Sequence, residues 1–310
     1  MCSQWLDWET AWHRALYGVD GFVHTGGQPA QHFRTSAHVG TVLAEALLEL
    51  LERTDHALGR PAELDVVDLG AGGGELLASM VELAPASLHR RLRPVAVDVR
   101  PAPPRWQLPW LTQLPDGLVG LVIAHEWLDA LPCPVVQHDG ALVRRVQVCP
   151  DGGERLGPAL GDAERAWLRR WWSLTRGGRA EVGLGRDGAW REVLGRLHAG
   201  AALAVDYCHL SGERPHQGTL AAYREGRQVR PVPDGSCDLT AHVSMDSVAA
   251  VARGTVVSQA RALGTLGAAV QAGSWLERAV RGGQVAELTN PAGLGGFGWV
   301  LHPARIDLTL

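Results

Sequence analysis

The sequence contains no lysine; all 29 of its strong bases are arginines. That absence excludes every mechanism needing a lysine Schiff base and every phosphate loop that grips its ligand with a lysine. Together with abundant alanine and glycine it reads as the codon usage of a GC-rich genome. Cysteine is sparse: Cys2, Cys133, Cys149, Cys208 and Cys237 are scattered, odd in number and form no C-x-x-C pair. Neither a disulfide framework nor a metal site is expected, and a reducing cytoplasm is the natural compartment. A formal charge of -4 leaves no broad basic face, so no nucleic-acid partner is expected. The start of the chain shows no basic stretch followed by an apolar run, and no apolar run reaches membrane-spanning length, so neither a signal peptide nor a membrane partner is expected.

What is present suggests a large folded chain. Its 310 residues allow an elaborated domain with an ample core. Trp5, Trp8, Trp12 and Leu16 share one face of a helix over residues 3–17, with Ser3 as its N-cap; core packing is preferred over a role as a lid. Residues 18–34, rich in glycine and histidine, read as a loop. A second helix over 36–53 carries an apolar stripe of Val39, Val42, Leu43, Ala46, Leu47 and Leu50. Buried-looking strands then follow at 64–69, 94–99, 120–124 and 201–205, alternating with helices. This pattern predicts an α/β fold with a mostly parallel, doubly wound sheet. The division expected is a helical region over 1–60 and a main domain over 61–310, with insertions at about 135–198 and 209–245. In the first insertion, residues 135–148 alternate like a hairpin turning at Asp139-Gly140. Arg176, Arg179, Arg186, Arg191 and Arg196 read as a solvated basic face.

The turn after the first strand carries the first chemical signal. Asp68 precedes Gly70, Gly72 and Gly74 in a D-x-G-x-G-x-G pattern, and a helix follows. Glycine permits positive φ and close approach of backbone to a ligand. The spacing departs from the G-x-G-x-x-G of nicotinamide enzymes, which keeps such an enzyme only as a minor alternative. Asp98, at the end of the second strand, stands where an acid roughly twenty residues on would bind ribose hydroxyls.

The D-x-G-x-G-x-G turn is similar to the cofactor turn of class I S-adenosylmethionine-dependent methyltransferases. A second segment, His125-Glu126-Trp127-Leu128-Asp129-Ala130-Leu131-Pro132, resembles the N-E-x-x-D-A-L-P motif of the MidA family, complex I assembly methyltransferases of bacteria and mitochondria. His32-Phe33-Arg34-Thr35-Ser36, Asp206-Tyr207, Gly218 to Arg224, Asp238 to Val243 and Gly293 to Phe297 are similar to further segments of that family, in the same order. His125 replaces the family's asparagine, Cys208 a glycine, Gly226 a histidine and Ser244 an aspartate.

The resemblance implies a Rossmann-like class I fold with a seven-stranded sheet and S-adenosyl-L-methionine as cofactor. It implies that Asp68 helps bind the methionine amino group, with Gly70, Gly72, Gly74, Asp98 and His125 completing the cofactor site. Because a mitochondrial member methylates protein arginine, a protein or peptide arginine is the leading acceptor. Glu126 and Asp129 would grip its guanidinium, close enough to face one site if their segment is a helical turn. His125 is equally readable as an acid–base group or as packing against the cofactor. Asp206, Tyr207, Tyr223, Asp238 and His242 are candidates to line the acceptor pocket, though a scaffold role fits each at least as well. The drifted substrate-side residues keep two alternatives open: a small molecule or modified peptide as acceptor, or a noncatalytic assembly protein that retains the cofactor fold.

Overall fold

The computed structural model describes residues 4–25, 36–268 and 274–310. The expected Ser3 cap and the segment from His32 to Thr35 lie outside them. The chain divides into two compact units. One comprises residues 35–127, 191–206 and 249–310; the other comprises 1–34, 128–190 and 207–248. Residues 4–25 thus group with the two inserted stretches rather than with the helix that follows them.

The first unit is built on seven strands: Leu64–Leu69 (β1), Leu92–Val97 (β2), Trp110–Leu111 (β3), Leu118–His125 (β4), Leu197–Asp206 (β5), Thr255–Ser258 (β6) and Gly298–Ala304 (β7). Their order is β6-β7-β5-β4-β1-β2-β3. The strands from β5 to β3 pair in parallel, whereas β7 runs antiparallel to both β5 and β6. Every residue of β1 is buried, as are Leu121 to Ala124 of β4 and Ala201 to Val205 of β5. Apart from Asp65 and Asp68 of β1 these runs are apolar, which suits strands covered on both faces. Val42–Ala57 (α1) packs on β4, β5 and Glu75–Leu83 (α2), and buries Val42, Leu43, Ala46, Leu47 and Leu50 as their spacing requires. Gln259–Thr265 (α3) and Trp275–Thr289 (α4) complete the unit's longer helices.

At the base of the sheet three backbones meet. Gly200 of β5 lies opposite Gly120 of β4, which lies opposite Asp65 of β1. A Cβ on Gly200 would stand 2.0 Å from the Gly120 carbonyl oxygen, and one on Gly120 would stand 2.0 Å from the Asp65 carbonyl oxygen.

The second unit holds an antiparallel sheet in the order Leu6–Asp7, Val143–Val148, Val135–His138, Arg179–Glu181, with Glu154–Ala159 also paired to Val143–Val148. The hairpin turn is where Asp139-Gly140 predicts it, and Asp139 accepts the backbone N–H groups of Ala141 and Leu142. The helix Trp8–Tyr17 turns Trp8, Trp12 and Leu16 into a core with Val135, Val148 and Leu239, so packing is its role. Residues 207–248 supply a three-stranded sheet and a two-stranded parallel ladder, Cys208–His209 with Val243–Ser244. The departures Cys208 and Ser244 therefore sit in one ladder. Gly226 follows Glu225 in a two-residue hairpin turn between Ala221–Arg224 and Arg227–Val229.

Candidate active site

In an open α/β sheet, ligands bind beyond the carboxyl ends of the strands where the strand order reverses. Here that point lies at the ends of β1 and β4. The turn leaving β1 places Gly70, Gly72 and Gly74 at φ of 78°, 59° and 83°, all in the left-handed region. Among the described residues, no heavy atom beyond the flanking ones lies within 4 Å of a Cβ built on Gly72, so the turn is open there. Aromatic rings stand at its other two glycines: Trp127 against Gly70 and Trp106 against Gly74. Trp106 in turn meets Trp110 edge-on, with ring centroids 5.4 Å apart.

Asp98 follows β2 and is tied to the turn. Its Oδ2 accepts the Gly72 N–H at 2.8 Å and its Oδ1 accepts the Arg100 N–H at 2.8 Å. The carboxylate is thereby fixed with lone pairs to spare for hydroxyl donors. Asp68, near the end of β1, is buried, and its Oδ2 has no hydrogen-bond partner among the described residues. Burial first, then the negative Asp98, pushes its carboxyl up to about 7. An orphaned buried carboxyl, a fixed carboxylate and an open glycine backbone together fit a ligand bearing an ammonium group and a ribose.

His125 closes β4 and is buried; its Nε2 lies 3.6 Å from Glu126 Oε1, too far for a hydrogen bond. Burial, helped by His38, lowers its imidazole to about 4, so it is neutral at neutral pH. Glu126 adopts φ 52° and its Oε1 accepts the Ser36 N–H at 3.3 Å. Ser36–His38 forms a 3-10 turn, and His38 Nε2 lies 3.9 Å from Glu75 Oε1 at the head of α2. The sequence reading missed His38, Trp106 and the ring of Trp127. Their contacts with the turn have no period or spacing that could announce them.

The segment after Glu126 is not the helical turn that would place Glu126 and Asp129 on one face: residues 126–131 form bends and a turn. Glu126 belongs to the sheet unit and Asp129 to the other. Within that other unit the structure brings Asp129, Tyr207 and His242 together. Asp129 is buried and its Oδ2 accepts the Thr240 hydroxyl at 2.7 Å. Burial raises its carboxyl above the usual range, against the opposing pull of Thr240, Arg186 and His242. The His242 ring stacks on Tyr207 at 5.8 Å and on His209 at 6.5 Å. Tyr223 and Asp238 are cross-strand partners in the three-stranded sheet. Asp206 is buried at the end of β5, opposite Gly298 of β7.

The basic run is not one solvated face. Arg179 pairs with both oxygens of Glu154, and Arg186 is only 2% exposed. Glu181, which the sequence reading passed over, explains the Gly218-Thr219-Leu220 segment. Its buried carboxylate accepts the N–H and hydroxyl of Thr219 and the N–H of Leu220.

The model of a family described as "Putative S-adenosyl-L-methionine-dependent methyltransferase" matches residues 42–262, more than half of the chain. The chain belongs to this methyltransferase family. It is accordingly an enzyme, and S-adenosyl-L-methionine is its cofactor. Among solved structures, the methyltransferase is similar to a COG1565 superfamily member and "likely methyl transferase" from Burkholderia thailandensis bound to S-adenosyl-homocysteine. That likeness has a TM-score of 0.85 at 24% identity and covers 99% of this chain and 89% of the other. A second structure from the same organism, a native COG1565 superfamily protein, matches with a TM-score of 0.81, 24% identity and the same coverage. Both likenesses establish the α/β fold with its seven-stranded sheet, as the MidA resemblance implies. No curated protein matches the chain. Among the described residues no helix of this methyltransferase is long and apolar enough to cross a membrane.

Proposed function

We propose that this methyltransferase methylates a guanidinium nitrogen of arginine in a protein or peptide. The observation that carries the reading is the buried carboxylate of Asp129 beside the stacked rings of His242 and Tyr207. A guanidinium is a flat, delocalised cation that lies on aromatic faces and takes a carboxylate through two N–H groups at once. In this reading Asp68 receives the methionine ammonium, Asp98 the ribose hydroxyls, and the turn at Gly70, Gly72 and Gly74 the backbone approach. Asp206, Tyr223 and Asp238 serve the acceptor side. Scattered cysteines suit a reducing compartment, here taken as the cytoplasm.

Bound S-adenosylmethionine supplies an electrophilic methyl carbon on a sulfonium. On the acceptor side Asp129, pinned by the Thr240 hydroxyl, holds the guanidinium and leaves a nitrogen lone pair free to meet that carbon; Glu126, pinned by the Ser36 N–H, is a carboxyl group of the sheet unit. The new N–C bond forms as the C–S bond breaks and its electron pair stays on sulfur. The nitrogen then loses a proton, and Asp129 is suited to accept it because burial has raised its affinity for one. His125 is too weak a base at neutral pH for this step. As a buried neutral imidazole it offers one N–H and one lone pair, the functions an asparagine amide provides, which accounts for the exchange of one for the other.

Incubation with tritium-labelled S-adenosylmethionine and arginine-containing peptides is expected to place label on arginine. Asp129→Asn should cut that turnover by about 100-fold while leaving S-adenosylhomocysteine affinity within about threefold. Label entering only small molecules from a lysate would overturn the arginine reading.

The cofactor side predicts a pH dependence. Binding an ammonium favours ionised Asp68, whose carboxyl holds its proton up to about 7. Below that pH each binding event must expel a proton, so affinity falls with falling pH, up to about tenfold per unit. Titration with S-adenosylhomocysteine between about pH 5.5 and 7.5 should show this acid limb, and Asp68→Asn should lack it. A wild-type affinity flat across that range would remove Asp68 from the amino group.

A further inference from the structure

Arg186 lies near the start of the helix Leu184–Arg196 and is 2% exposed. Burying a guanidinium costs several kcal/mol unless its donors are met and its charge is balanced. Here the donors go to backbone carbonyls on two separate segments. Nε donates to Leu131 O at 3.0 Å and Nη2 to Asp129 O at 2.7 Å. Nη1 donates to Ala241 O at 3.0 Å and to His242 O at 3.1 Å. One side chain thus joins the segment that carries Asp129 to the segment that carries His242. The planar fork of an arginine can span both; the point charge of a lysine cannot.

The same two segments are tied by weaker links. The Ala241 N–H donates to Asp129 O at 3.3 Å and the Thr240 hydroxyl to Asp129 Oδ2, while the His242 N–H donates to Thr219 Oγ1 of a third segment at 3.0 Å. Thr219 is itself held by Glu181. None of these supplies the positive charge that Arg186 brings. Trp12 lies below the guanidinium, 5.7 Å from ring centroid to Cζ, and closes that side to water.

We propose that Arg186 is a positioning residue for the acceptor side, fixing Asp129 and His242 against each other without touching the acceptor itself. The proposal rests on the reading of Asp129 as an acceptor grip, but its test needs no acceptor. The charged and titratable groups around His242 are Asp129, Arg186 and His209, with Tyr207 stacked on its ring. Burial chiefly lowers the His242 imidazole; Asp129 opposes that shift and Arg186 reinforces it.

Proton NMR of the full chain, with the His242 signal assigned by its loss in His242→Gln, gives the readout. In Arg186→Met the His242 midpoint should move to higher pH, because a neighbouring positive charge has gone. In Arg186→Lys, which keeps the charge but cannot span both segments, it should also move, by less than in Arg186→Met. Both variants should bind S-adenosylhomocysteine within about threefold of wild type, since the glycine turn belongs to the other unit. An unchanged midpoint in an Arg186→Met protein that still binds would overturn the proposal and leave the arginine-acceptor reading standing. Failure of peptide labelling would do the reverse. Should Arg186→Met not fold, the wild-type protein still decides. A slowly exchanging arginine Nε–H signal must shift with the His242 midpoint, and no arginine signal that follows it would refute the coupling.

Discussion

Asp98→Ala is expected to weaken S-adenosylhomocysteine binding by about 100-fold or more. A carboxylate that accepts two ribose hydroxyls contributes about 1.5–3 kcal/mol for each such bond, and every 1.4 kcal/mol is about tenfold in affinity. A second loss adds to this. Asp98 also fixes the N–H groups of Gly72 and Arg100, so its removal loosens the turn that the ligand must meet. Asp98→Asn separates the two contributions: an amide can still accept one of the N–H groups but meets the other with its own donors. Calorimetric titration should therefore rank the proteins wild type, Asp98→Asn, Asp98→Ala. Wild-type affinity in Asp98→Ala would mean that ribose is held elsewhere.

Gly200→Ala should be the most damaging single methyl in the sheet. Gly200 sits at φ 121° and Gly120 at φ 151°, a backbone region that L side chains rarely adopt. The added carbon would also strike the Gly120 carbonyl, which is backbone and cannot swing aside. Backbone strain and overpacking together cost about 4 kcal/mol, a fall in melting temperature of about 6 °C for a chain of this size. Gly195→Ala is the matched control. That glycine lies in the helix Leu184–Arg196 and, among the described residues, nothing outside the helix backbone and its chain neighbours comes within 4 Å of the added carbon, so it should gain about 0.5–1 kcal/mol. Equal melting temperatures for Gly200→Ala and wild type would contradict the close approach of β4 and β5.

These cases mark what a sequence can disclose. The turn between β1 and α2 was legible because its signal is local: acid, glycines and helix follow within ten residues. The central strands were legible because burial on both faces leaves a short, mainly apolar run. The motifs from Gly218 to Arg224 and Asp238 to Val243 were legible only as resemblance, and their cause was hidden. They serve the buried Glu181 and Arg186, and neither residue differs in local pattern from an exposed charge. Arg186 in particular read as one of a row of solvated arginines. The start of helix Leu184–Arg196 is hidden in the sequence, because Gly183, Gly185 and Gly188 break the pattern of its first turns. Helix α4 was missed altogether: Trp275, Leu276 and Val280 are exposed, so its apolar residues do not trace a buried stripe.

The place of β7 has a consequence in time. It is the last strand to be synthesised, yet it lies between β5 and β6 rather than at an edge. The other unit has all its segments once residue 248 has been made. The sheet has not, and until β7 arrives β5 presents an unpaired edge, apolar from Ala201 to Val205, to whatever the emerging chain meets. Translation proceeds at about 5–20 residues per second, so that edge stays open for seconds in every newly made molecule. Damage to β7 by a frameshift or premature stop would hold it open permanently, turning a finished-looking chain into a template for aggregation.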